Sequence, residues 1–353
     1  MKKIIYSSFI ACVLLAACGN PGIENNNPAA DAIKQADKEL LTKAQGIFQP
    51  LAARVDNPDN PITDDKVKLG KILYYDTRLS NTGNNSCNTC HNLATYGVDN
   101  MPTSKGDAGK NGERNSPTVF NAAFNVVQFW DGRAKDVEEQ AGGPILNPVE
   151  MAIPSKEFLE KRLRGVKEYT EMFKTVFPDD KQPITFQNVS KAIAAFERTL
   201  VTPAPFDSYL KGDLTALSDE QKLGLRIFIQ TGCTQCHMGS GVGGSLLQKF
   251  GLYADYRTLT HSTTNDEGKK KQTNDVSDKD VFKASSLRNV AKTFPYLHDG
   301  SVRDLNQVVT IMSKAQLNKD LSDAEVTPIV AFLNSLTGTI ADDVKTPPTI
   351  EKK

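Results

Sequence analysis

The chain has little histidine, a single tryptophan and no charge excess of either sign. Its 353 residues include 4 histidines, 1 tryptophan and 6 cysteines, and 42 basic side chains balance 42 acidic ones. Zero net charge leaves no basic excess to neutralise phosphates, which argues against a nucleic-acid partner. After the first 17 residues, no apolar run is long enough to cross a bilayer. Strict polar–apolar alternation is scarce, which disfavours a sheet-built fold. No histidine lies between His91 and His237.

The start of the chain reads as an export signal. Lys2 and Lys3 precede an apolar run, Ile4 to Ala17, too short to span a membrane as a mature helix. The run ends in Leu15-Ala16-Ala17-Cys18, which resembles the bacterial lipobox and implies cleavage before Cys18 and lipidation of its thiol. An ordinary signal peptide with a stray cysteine is the alternative. The expected products are a signal over 1–18, a flexible tether over 19–37 and a protein held in the periplasm, touching membrane only through its lipid.

Setting aside Cys12 in the signal and Cys18 at the lipid site, four cysteines remain: Cys87, Cys90, Cys233 and Cys236. In an exported chain they could form disulfides. Their surroundings point elsewhere. Cys87-Asn88-Thr89-Cys90-His91 and Cys233-Thr234-Gln235-Cys236-His237 are both C-x-x-C-H, the pattern of c-type haem attachment. The thiols add to the haem vinyl groups, and His91 or His237 becomes the proximal iron ligand. One copy alone could be a redox dithiol or half of a zinc site. Two copies use every cysteine outside the signal and lipid site and two of the 4 histidines, so two covalent haem c groups are expected.

The surroundings of the two motifs repeat. Thr63-Asp64-Asp65 leads to Leu69-Gly70, and Ser218-Asp219-Glu220 leads to Leu223-Gly224. Ser218 with Gln221 forms a capping box, which predicts a helix start before the second motif. Val189, Ile193, Phe196 and Leu200 share one helical face, as do Val326, Ile329, Val330, Leu333 and Leu336 behind the Ser322/Glu325 box. The prediction is an all-α chain of two cytochrome c-like haem domains in tandem, 38–202 and 203–340. The break falls where Pro203 and Pro205 interrupt the helix, and a loose polar tail is expected over 341–353.

Four further segments carry a resemblance: Arg114-Asn115-Ser116-Pro117-Thr118, Phe129-Trp130-Asp131-Gly132-Arg133, Glu139-Gln140-Ala141 through Val149-Glu150-Met151, and Pro295-Tyr296-Leu297-His298-Asp299-Gly300. In order and spacing they resemble the bacterial diheme cytochrome c peroxidases and the related methylamine-utilisation diheme enzymes. The resemblance implies reduction of hydrogen peroxide at an N-terminal peroxidatic haem. A small c-type cytochrome or cupredoxin would feed electrons into the C-terminal haem. Glu150 would carry the peroxide proton as general base and then acid, beside Gln140 and Pro144 in the same pocket. Read on its own, Glu150 would be a solvated helix residue. Trp130 would lie between the haems on the electron route, although an isolated tryptophan reads equally as a core aromatic.

For the sixth ligand of the C-terminal haem, the candidates are Met238 and Met312. The family places its methionine fourteen residues after the histidine matched by His298, which lands on Met312. The methylamine-utilisation enzymes have tyrosine there. His298 would sit structurally near that haem, and His261 has no matching role. The resemblance also implies one calcium ion, held by the Asn115 side chain and the backbone carbonyls of Thr293 and Pro295, and a homodimer. Two rival readings remain: a diheme enzyme that oxidises a partner protein, and a non-enzymatic diheme electron carrier.

One departure stands out. Many of these peroxidases have a second histidine eight residues before the asparagine matched by Asn115; here that position is Asp107. Carboxylate is a poor substitute for imidazole on haem iron. An N-terminal haem without bis-histidine ligation is therefore expected, with Met101, Lys105, Lys110 or Asp107 itself as other candidate ligands. The glycines around Asp107 predict a mobile loop.

Overall fold

The computed structural model describes residues 28–348, so the signal, Cys18 and residues 19–27 of the expected tether lie outside the described residues. The architecture is helix-rich, with one two-stranded antiparallel ribbon pairing β1 (Leu247–Lys249) and β2 (Val281–Lys283). Strands of three residues are too short to leave an alternating signature in sequence.

Each half is built on one crossed pair of helices. In the first, α2 (Asp64–Tyr75) crosses α4 (Phe186–Glu197); in the second, α5 (Asp219–Thr231) crosses α7 (Asp323–Asn334). The expected starts are present: the Thr63 hydroxyl accepts from Lys66 N at 3.2 Å, and Ser218 and Gln221 cap each other reciprocally. The repeated Leu-Gly marks the crossing points. A Cβ on Gly70 would lie 1.9 Å from the Ala192 carbonyl oxygen, and one on Gly224 would lie 1.7 Å from that of Pro328. Only glycine lets the backbones meet so closely. Around the first pair Leu69, Leu73, Ile193 and Phe196 form one core; around the second Leu225, Phe228, Ile329 and Phe332 form another.

Both terminal segments depart from expectation and pack on the half at the other end of the chain. Residues 28–37, expected to be flexible, are helical within α1 (Pro28–Gln45). Leu40, Ala44 and Phe48, expected in the first domain, are buried in the core of the second half, and Asp37 pairs with Lys222 at 2.6 Å. The reason is an apolar i, i+4 face that needs a partner surface and finds it on Phe206. The tail, expected to be loose, does the converse. Val344 packs on the first core, and the Val344 carbonyl accepts from the Tyr75 hydroxyl at 3.1 Å.

The break at Thr202 is a buried seam. The Thr202 hydroxyl accepts from Asn121 Nδ2 at 2.8 Å and from Asn289 Nδ2 at 2.9 Å, and Asn289 Oδ1 accepts from Gly338 N. Asn121 and Asn289 are both left-handed, at φ 60° and 61°. They belong to an internal repeat in which Asn115 corresponds to Lys283 and Trp130 to His298. The correspondence is reciprocal in space: Asn115 N donates to the His298 carbonyl at 2.8 Å, and Lys283 N donates to the Trp130 carbonyl at 2.7 Å.

Candidate active site

The cysteines of neither motif pair as a disulfide, and each pair borders its own cavity. Burial pushes all four thiols up, Cys233 to about 12, so they are held as neutral thiols. That disfavours a thiolate metal site or redox dithiol. No group of three or more His, Cys, Asp or Glu that could hold a metal ion occurs among the described residues.

The C-terminal cavity, of about 250 Å³, is lined by Cys233, Cys236, His237, Met312, His298, Thr293, Pro295 and Trp130. Burial holds His237 neutral, down to about 4, and its Nδ1 lies 3.1 Å from the Ser285 carbonyl, which leaves Nε2 for a ligand. Met312, on α6 (Leu305–Leu317), borders this cavity and Met238 does not.

The N-terminal cavity, of about 430 Å³, contains Cys87, Cys90, His91, Gln140, Pro144, Glu150, Asn115 and Trp130. His91 is half-buried, and desolvation holds it below its usual range; its Nδ1 has no hydrogen-bond partner among the described residues. Gln140 and Pro144 stand four apart on α3 (Val137–Leu146), so they share a face. The turn after α3 folds back, with Glu150 N on the Asn147 carbonyl at 3.0 Å and Met151 N on that of Pro144 at 3.1 Å, and this delivers Glu150 to the same wall. Burial raises the Glu150 carboxyl above the ordinary range, with Arg133 and Asn147 opposing. Met151 also borders the cavity but packs into the first core.

Trp130 lines both cavities. Its Nε1 donates to the Asn115 carbonyl at 2.9 Å, and its ring meets His298 edge-on at 6.4 Å between centroids. Thr293, Pro295 and Asn115 border the C-terminal cavity together.

Asp107 does not enter the N-terminal cavity, and neither do Met101, Lys105 or Lys110. The Asp107 carboxylate accepts from Thr82 N at 2.7 Å and Thr82 Oγ1 at 2.8 Å, and Asp107 N donates to the Glu150 carbonyl at 2.7 Å. The loop expected to be mobile is pinned. Gly106 is needed because a Cβ there would lie 2.0 Å from the Val149 carbonyl oxygen.

Two cysteines beside a neutral imidazole, at the edge of a cavity walled partly by apolar side chains, fit a covalently held haem in each half. Sequence reasoning missed two buried charged residues that line the cavities. Glu197 lies four residues after Ile193 on the cavity face of α4, and burial pushes its carboxyl up to about 8; a charge in register with an apolar stripe was the available signal. Lys283, on β2, borders both cavities, and a lone charge in Val281-Phe282-Lys283 gave little warning.

Comparison with known proteins agrees with this geometry. The family model for di-haem cytochrome c peroxidase matches residues 64–215. The cytochrome c551 peroxidase of Pseudomonas aeruginosa is 47% identical over 88% of this chain and 89% of its own. The methylamine utilization protein MauG of Methylorubrum extorquens is 31% identical over 95% of this chain and 96% of its own. The crystal structure of a MauG-like protein associated with microbial copper homeostasis superposes with a TM-score of 0.75 at 28% identity, covering 84% of this chain and 97% of that one.

Proposed function

The chain belongs to the di-haem cytochrome c peroxidase family and is a peroxidase, and from that premise we propose that it reduces hydrogen peroxide to water in the His91 cavity with electrons received in the His237 half. The observation that carries this reading is the asymmetry of the two cavities: Met312 borders one, while Glu150, Gln140 and Pro144 border the other with no second histidine.

Two haem c groups follow from family membership; Cys87, Cys90 and His91 would hold one, and Cys233, Cys236, His237 and Met312 the other. When bound they would supply redox-active iron, and His91 is the one histidine bordering its cavity to hold that iron. Glu150 takes a proton from one peroxide oxygen and returns it to the other, while Gln140 orients the molecule by a hydrogen bond. Two electrons and two protons then convert one peroxide to two waters. A small c-type cytochrome or cupredoxin is the proposed donor, and Trp130, bordering both cavities, is the proposed electron route. Asn115, Thr293 and Pro295 would offer neutral oxygens to a calcium ion, the hard donors that calcium accepts. His298 is proposed to pack beside the C-terminal haem.

We also propose that 38–202 and 203–340 work as two haem units, with the terminal exchanges described above, and that the protein is a homodimer. Its proposed location is the periplasm, lipid-anchored through Cys18. No described helix is long and apolar enough to cross a membrane.

With Asp107 tied to Thr82, peroxide is proposed to bind without prior reduction of the enzyme. Electronic and EPR spectra of the oxidised protein test this, together with steady-state oxidation of a reduced cytochrome by peroxide. A high-spin component with immediate turnover is expected. A purely low-spin N-terminal haem with two nitrogen ligands would overturn the reading.

A further inference from the structure

Lys283 is 8% exposed, yet no carboxylate lies within ion-pair distance of it among the described residues. Its Nζ donates to the Val127 carbonyl at 3.2 Å. The nearby carboxylate, Asp131, is already held by Arg114 at 2.7 Å and Arg133 at 3.0 Å, and Arg114 also binds Asp266 at 2.6 Å. Asp131 is thus shared between two guanidiniums, and Lys283 is left without an ion-pair partner of its own among the described residues. Burial draws the Lys283 ammonium down to about 8 despite Asp131. A buried charge without an anion is strongly unfavourable, so such groups are found paired.

The position of the charge says what would pair with it. Lys283 borders both cavities, and its backbone N–H is fixed on the Trp130 carbonyl at 2.7 Å. Its repeat counterpart Asn115 occupies the mirrored place with a neutral side chain. An anion reaching this wall must come from within a cavity. Haem brings two carboxylates of its own.

We propose that Lys283 binds a haem propionate carboxylate at the wall shared by the two cavities, and that its charge raises the reduction potential of the haem it holds. The inference rests on the two-haem reading above. A cation beside a propionate disfavours the ferric state, because it cancels negative charge that stabilises the more positive iron.

The test is spectroelectrochemical titration of both centres in the holoenzyme for K283M, K283Q and K283R. Loss of the charge is expected to lower the potential of at least one centre, by about tenfold in the oxidised-to-reduced ratio, or about 59 mV for one electron. K283R should remain near wild type. Which centre moves identifies the propionate. Unchanged potentials in both neutral variants with both haems bound would overturn the inference. Should neither neutral variant take up both haems, K283R decides: normal loading and potentials support the charge, and failed loading makes Lys283 a packing residue. A wild-type enzyme without peroxide turnover, whose potentials still respond to these changes, would instead count against the proposed function alone.

Discussion

Replacing Gly70 by alanine should destabilise the N-terminal half, although the same change in an ordinary helix stabilises by about 0.5–1 kcal/mol. The new methyl would begin 1.9 Å from the Ala192 carbonyl oxygen and 2.9 Å from Phe196 Cβ. Ordinary contact begins near 3.4 Å, so α2 and α4 must separate by about 1.5 Å. A gap of only 0.5–1 Å forfeits roughly a quarter to a half of the dispersion attraction between facing atoms. The helices share Leu69, Leu73, Ile193 and Phe196, all buried. Overpacking alone costs about 1–3 kcal/mol and lost contact adds to it, so we expect a net loss of about 3 kcal/mol or more. For a unit of this size that corresponds to a fall in Tm of about 6–12 °C. The damage should reach the chemistry, because the Tyr74 hydroxyl, on α2, donates to the His91 carbonyl at 2.6 Å. Thermal unfolding followed through the haem absorption, with potentials measured for each centre, is the assay. G70A should disturb the His91 centre, and G224A, whose methyl would meet the Pro328 carbonyl oxygen at 1.7 Å, the His237 centre. A Tm unchanged or raised in either variant would refute the account of these crossings.

Further outcomes are expected. E150Q should lower peroxide turnover by about 10²–10⁴-fold with both haems retained, and a loss below about tenfold would remove Glu150 from proton transfer. Because burial raises the Glu150 carboxyl, its base form is lost as pH falls through a value above the ordinary carboxylate range. The wild-type rate should therefore decline on the acid side from that point, and this limb should be absent in E150Q. D207N should cost about 3–5 kcal/mol in denaturant unfolding, since it breaks the buried bidentate pair with Arg288 at 2.7 and 3.0 Å. Stability within about 1 kcal/mol of wild type would show that Arg288 finds other partners.

The haem motifs, the helix starts and both helical faces were legible in the sequence because each depends on residues close along the chain. Ser218 and Gln221 cap one another across three positions, and no distant contact is needed to see it. The paired Leu-Gly was legible as a repeat, but its cause lies on another helix, at Ala192 or Pro328. The glycines around Asp107 suggested mobility for the same reason: a glycine demanded by a close backbone looks identical in sequence to one that loosens a loop. Glu197 and Lys283 were not singled out in the sequence, because the walls that bury them come from distant segments. The helix over Pro28–Gln45 was not read from the sequence, which gave a flexible tether up to residue 37, and a short stripe of leucine and alanine does not name the surface that covers it.

The exchange of ends means that neither half of the molecule is self-sufficient. Severing the chain at Thr202 would strip the second half of Leu40 and Phe48, and the first half of the stretch carrying Ile340 and Val344. Burying a side chain such as Leu or Phe contributes about 1.5–3 kcal/mol, so a fragment ending at the seam starts life with an open wound in its interior. A chimera made by swapping halves between two relatives would inherit the same defect unless each donor's terminal strap travelled with the body it clasps.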